Sequence, residues 1–137
     1  LLLGLPLELD NARIEFSGGD VESASRFTEL NQVCTINEFH KVAMPDLKGP
    51  VNVASVSLAI DPRTGLYIGK FPLSDPNPFN LTKLLVRKIV FRGIVVPGQT
   101  SARGQFQLPG LGDADSDPII PTKVAPILSG KCELVPN

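Results

Sequence analysis

The sequence predicts an all-β protein, a compact antiparallel β-barrel or β-sandwich of about eight strands. Three observations carry this. Apolar residues alternate with small or charged ones over short segments, as Val56, Leu58 and Ile60 do against Ser55, Ser57 and Ala59. Strong turn chemistry separates those segments. Gly (12) and Pro (13) of 137 residues exceed the roughly 12% average share, while helical periodicity is weak throughout.

The elements follow in chain order. Leu3, Leu5, Leu7 and Leu9 alternate with other residues and read as a terminal strand over residues 1–10, either part of its own sheet or exchangeable, within a single domain spanning 1–137. The best helix candidate runs from Val21 to Leu30, opened by Asp20 after Gly18-Gly19, but Ser and Thr dilute it. Next comes a hairpin from Val56 to Phe71. Its turn is Asp61-Pro62-Arg63-Thr64-Gly65: proline presets φ, Asp61 accepts from the turn backbone, and Gly65 takes the left-handed conformation. Four loop residues around a type I turn make a known hairpin connection.

From Arg87 to Val96, Ile89, Phe91, Gly93 and Val95 fall on one face, with Lys88, Val90, Arg92 and Ile94 on the other. Val96-Pro97-Gly98-Gln99 fits a type II turn. A polar loop then leads to a strand at Gly104–Leu108, and Pro126–Leu134 reads as the last strand. Gly69, Gly93, Gly104 and Gly130 inside these strands are expected to mark bulges or tight bends, which let a small sheet curl.

Composition bounds the function classes. A 137-residue chain with 42% apolar residues can bury a core, and a net charge of −1 favours neither disorder nor a polyanion partner. No stretch approaches the roughly 18 apolar residues needed to span a bilayer. The chain starts at Leu1 and its methionine is Met44, so we expect a processed product or a fragment.

Cys34 and Cys132 both lie in strand-like segments. A disulfide between them would close a loop of about 100 residues, worth roughly 4–5 kcal/mol on the chain-entropy model; the alternative is two buried thiols acting as small hydrophobes. Asn80-Leu81-Thr82 is a glycosylation sequon, common by chance.

Four features bear on chemistry. Asp113, Asp115 and Asp117 alternate as at the start of a calcium loop, yet Pro118 stands where that loop needs glycine and Val124 where it needs its bidentate glutamate. A solvated loop with no cofactor is the expectation, with calcium as its rival. His40 is the sole histidine; it lacks metal-ligand spacing, and no Gly-x-Ser-x-Gly elbow accompanies it, so no enzyme is expected. Lys83, Arg87, Lys88 and Arg92 concentrate charge without interleaved aromatics, which points to an exposed strand kept soluble by charge rather than to nucleic acid. Glycan platforms usually offer exposed Trp or Tyr, and here Tyr67 alone is available.

With those residues in place, the pattern resembles a repeated β module of large secreted bacterial surface proteins. The matching residues are Asp61-Pro62-Arg63-Thr64-Gly65-Leu66, Gly69 and Phe71; Arg87-Lys88, Phe91 and Gly93; Gly104, Phe106, Leu108 and Pro109; and Pro126-Ile127 with Ser129-Gly130. Arg13 to Asp20 and Ile60 also look like earlier strands of that module. The resemblance covers about Ser55 to Leu134 and concerns turn and core positions. It implies an extracellular, non-enzymatic module, often near the C-terminus of a longer chain. Cys132 replaces the module's usual small β-branched residue, which implies a disulfide or a bond to another chain.

The expected function is therefore structural or adhesive: a secreted or cell-surface building block whose partners are other copies of itself or neighbouring domains. Leu3, Leu5, Leu7 and Leu9 would form a strand that either completes its own sheet or pairs with a neighbour's edge. A secreted module binding glycan or another wall component is the alternative, with neither nucleic acid nor membrane insertion involved.

Overall fold

The computed structural model describes residues 4–24 and 27–137. Among these residues eight strands are present: β1 (Ala12–Gly18), β2 (Gln32–Ile36), β3 (Val42–Ala43), β4 (Ser57–Ile60), β5 (Leu66–Asn77), β6 (Asn80–Ile94), β7 (Ala102–Pro109) and β8 (Ile127–Pro136). They form one sheet in the order β3-β2-β1-β8-β7-β6-β5-β4, antiparallel at every pairing. The sheet curls into a nearly closed barrel, which decides between the two expected architectures. The Val21–Leu30 stretch forms two single 3₁₀ turns, Val21–Ser23 and Phe27–Glu29, instead of a helix. Of its described residues only Val21 and Leu30 are fully buried, too narrow an apolar stripe to hold a longer helix.

The β4–β5 hairpin forms as its residues dictate. Asp61 Oδ1 accepts the Arg63 N–H at 2.9 Å, Gly65 sits at φ 74°, and its N–H donates to the Asp61 carbonyl at 2.8 Å. At the next turn Gly98 has φ 83° and Gln99 N–H donates to the Val96 carbonyl. Ile89, Phe91 and Val95 are buried, whereas Lys88, Val90, Arg92 and Ile94 face outward.

Phe16, Phe71, Phe91 and Phe106 fill the interior from four different strands. Phe16 meets Phe71 and Phe91 edge-on, with ring centroids 4.8 and 4.9 Å apart. Since β1 and β5–β6 lie far apart in the strand order, these contacts join opposing walls. Each buried ring contributes about 1.5–3 kcal/mol by burial, with edge-to-face geometry adding about 0.5–1.5 kcal/mol per pair.

The strand glycines mark no bulge. Cross-strand partners are Tyr67 with Gly93, Gly69 with Phe91 and Phe106 with Gly130, and in each pair the ring occupies the space a Cβ would need. At Gly104 the Arg92 carbonyl and Tyr67 hydroxyl do the same. None of the four marks a break in register; the shift falls at Pro76/Asn77. Flat rings laid over glycine let the barrel tighten without voids.

The expected terminal strand does not form over the described residues 4–10. Gly4 and Asp10 adopt positive φ, residues 4–10 carry no strand, and Leu3 lies outside the described residues. Leu5 is buried, while Leu7 and Leu9 project into solvent. Buried Asn11 holds this segment instead. Its Nδ2 donates to the carbonyls of Pro6 and Ile36, and its Oδ1 accepts the Ile36 N–H, all at 2.8 Å.

Candidate functional site

Three surface features can engage another molecule. The first is a half-open cavity of about 360 Å³ at one end of the barrel. Its walls come from the β1–β2 connection (Gly19–Ala24), the loop after β7 (Gly110–Ile120) and Leu108 and Leu128 of the sheet. Asp75 and Arg87 stand at its base. Arg87 shares the parity of Ile89, so the pleat turns it inward. Its Nη2 lies 2.7 Å from Asp75 Oδ2 and its Nη1 donates to the Pro109 carbonyl at 2.6 Å. The Arg87 Nε is buried without a hydrogen-bond acceptor. Arg87 thus does not belong to the solvent-facing charge cluster in which its sequence neighbours place it; Lys88 and Arg92 do.

The second feature is the outer face of the β5–β6 hairpin. Register sets Leu66 beside Ile94, Ile68 beside Arg92, Lys70 beside Val90, and Pro72 beside Lys88. Ile68, Val90, Ile94 and Val86 are each about half exposed. Every charged side chain on this outer face of β5 and β6 (Lys70, Lys88 and Arg92) is a cation. β4 pairs only with Tyr67–Lys70 and β7 only with Phe91–Ile94, so the hairpin is two-stranded from Pro72 and Lys88 to its tip. Pro72 and Pro76 fall where one edge of β5 is open, a position proline tolerates because it has no N–H to offer.

The third feature is a ridge at the other side of the barrel. Leu7, Glu8 and Leu9 border a depression with Thr35–Glu38, and the Asp10 N–H donates to Thr35 Oγ1 at 2.9 Å. Leu7, Leu9 and Phe39 are 69, 82 and 72% exposed, among the most exposed apolar side chains of the described residues.

The remaining expected sites resolve as follows. Cys34 and Cys132 are free thiols. They sit on opposite sides of β1, opposite Ala12 and Phe16 respectively, four residues apart along that strand. At ~3.3 Å per residue this offset alone exceeds the ~7 Å limit for a disulfide. Burial of both also removes the expected bond to another chain. Burial, reinforced by Asp10, pushes the Cys34 thiol up to about 12, and burial raises Cys132 as well.

Tyr67 is 1% exposed. Its hydroxyl donates to the Ala102 carbonyl at 3.3 Å and lies 3.5 Å from Cys132 Sγ, so it offers no platform to a sugar. Burial and then the Cys132 contact raise its phenol above the ordinary value.

Asp113 Oδ1 accepts the N–H groups of Asp115 and Ser116, and Asp113 bridges Ile120 through backbone bonds. Its carboxylate shapes the loop. Among the described residues, no group of three or more His, Cys, Asp or Glu side chains is placed to hold a metal, Asp113, Asp115 and Asp117 included. His40 lies in the tight β2–β3 turn at φ 62°, where its N–H donates to the Asn37 carbonyl. No helix among the described residues is long and apolar enough to cross a membrane.

No protein-family model, curated protein or solved structure matches the chain.

Proposed function

We propose that this chain is a non-enzymatic structural or adhesive β module of an extracellular surface protein or fibre, acting through its outer sheet faces. The observation that carries the reading is the β5–β6 face, where half-exposed Ile68, Val90 and Ile94 alternate with Lys70, Lys88 and Arg92. Scattered single apolar residues are normal on a surface; here Leu66 stands beside Ile94 and Ile68 lies diagonal to both Val90 and Ile94 across the paired strands, a grouping that favours a covered face. The resemblance to modules of secreted bacterial surface proteins supports an extracellular, bacterial setting.

Light scattering over a concentration series, with negative-stain imaging of the natively purified chain, tests the reading. Ordered polymers or defined oligomers support it. A monomer at every concentration, without binding to its neighbouring domains, overturns it.

A second reading is favoured by the barrel-end cavity, whose volume of about 360 Å³ falls in the range of small-molecule sites. On that reading the module holds a glycan or wall-component fragment above the Asp75–Arg87 pair. Binding to a polysaccharide panel that disappears in Leu128→Trp, which fills the cavity mouth, supports it.

A further inference from the structure

We infer that the acidic ridge around Leu7, Glu8 and Leu9 of one copy docks on the cationic outer face of the β5–β6 hairpin of a second copy of this chain, an inference that rests on the assembly reading above. Both patches combine exposed apolar side chains with charges of a single dominant sign. The ridge presents Leu7, Leu9 and Phe39 with Glu8, Asp10 and Glu38. The hairpin face presents Ile68, Val86 and Val90 with Lys70, Lys88 and Arg92. Each therefore carries the chemistry the other needs: apolar area to cover apolar area, and carboxylates to meet ammonium and guanidinium groups.

Neighbouring counter-charges do not erase the pattern. Lys41 closes the turn beside Glu38 and leaves the ridge net acidic. Asp61, in the β4–β5 turn, accepts the Arg63 N–H with its Oδ1.

Topology requires that the two patches meet between copies. The strand order β3-β2-β1-β8-β7-β6-β5-β4 sets the β1–β2 pair four positions from the β5–β6 pair. In a nearly closed eight-stranded barrel that is the opposite wall. A ridge on one side and its complement on the other cannot satisfy each other within one molecule. They form a heterologous, head-to-tail contact, and such a contact propagates into a filament unless its rotation closes a ring. An anionic membrane would suit the cationic face alone and leave the acidic ridge, with the more exposed apolar side chains, uncovered.

The test is charge reversal with rescue, read by sedimentation velocity over a concentration series at low and high salt. The unaltered chain should self-associate, more weakly at 500 mM than at 50 mM NaCl. Lys70→Glu with Lys88→Glu, and separately Glu8→Lys with Glu38→Lys, should each weaken association at least tenfold. All four substitutions in one chain should restore it. These side chains are solvent-facing, and circular dichroism checks that each variant folds. A carbodiimide cross-linker on the unaltered chain provides a readout independent of variants: mass spectrometry should find Glu8 or Glu38 joined to Lys70 or Lys88 across copies.

Association unaffected by either reversal, or cross-links elsewhere only, overturns the ridge-to-face contact while leaving the assembly reading intact. A chain that stays monomeric throughout overturns both. Co-sedimentation with phosphatidylserine vesicles by a chain that does not self-associate overturns the contact in favour of a membrane surface.

Discussion

Gly93 lies beneath the phenol ring of Tyr67, its directly opposed partner across the β5–β6 ladder, and a Cβ at Gly93 would overlap that ring. Tyr67 cannot swing away, because its hydroxyl is held between the Ala102 carbonyl and Cys132 Sγ. Gly93→Ala should therefore destabilise by overpacking, about 2–3 kcal/mol. That lowers the melting temperature by roughly 5–15 °C, measurable by thermal circular dichroism. An unchanged melting temperature would show that the ring has room to move.

The buried Asp75–Arg87 pair makes a sharper contrast. With side-chain exposures of 6 and 11%, neither charge can recover its hydration when the other is removed. Arg87→Ala should cost about 3–5 kcal/mol, whereas Arg87→Met combined with Asp75→Leu should cost much less, because the double change buries no lone charge. Urea denaturation of both variants checks the order. Equal losses would mean that the arginine stem and its bond to Pro109 matter more than the charges.

How far these features could be read from the sequence depends on how local their causes are. The β4–β5 turn was legible because Asp61, Pro62 and Gly65 each act on their own backbone. Inward and outward faces on β6 followed from parity alone. Arg87 points inward against the expectation from its charged neighbours, because its parity with Ile89 rather than its charge sets its direction. Leu3, Leu5, Leu7 and Leu9 suggested a strand because alternation says nothing of the left-handed backbone at Asp10 or of the Asn11 side chain that holds the segment. The packing of rings over Gly69, Gly93 and Gly130 is hidden from the sequence because the partner rings come from other strands, at a register no single segment reveals. The same holds for the candidate surfaces: that Val90 stands beside Lys70, and Glu8 near Glu38, depends on pairings between segments distant in the chain.

Cys34 supplies a pH signature. Its folded-state value of about 12 lies above the ordinary 9.0. Below pH 9 the thiol is protonated in both states, so the stabilising difference is fully present. As pH rises from about 9 toward 12 the unfolded chain releases a proton that the folded chain keeps, and stability falls. The raised Tyr67 and Cys132 act in the same direction. Melting temperature should decline over that window, and Cys34→Ala should make the decline shallower. In native protein at pH 8, dithionitrobenzoate should find almost no reactive thiol, and in guanidinium both. A fast-reacting native thiol would contradict the burial.

The segment before β1 distinguishes an anchored coil from an exchangeable strand. A strand using alternate leucines as a common face would make Leu5, Leu7 and Leu9 energetically similar. Here Leu5 is 4% exposed and Leu9 82%. Leu5→Ala should cost about 2–4 kcal/mol through lost burial and the cavity left behind. Leu7→Ala and Leu9→Ala should each change monomer stability by less than about 0.5 kcal/mol. Their effect belongs to association instead: removing exposed apolar side chains from the ridge should weaken self-association and leave the unfolding midpoint of the dilute chain unchanged. Paired denaturation and sedimentation measurements on the three variants separate these roles. Equal destabilisation by all three would restore the strand.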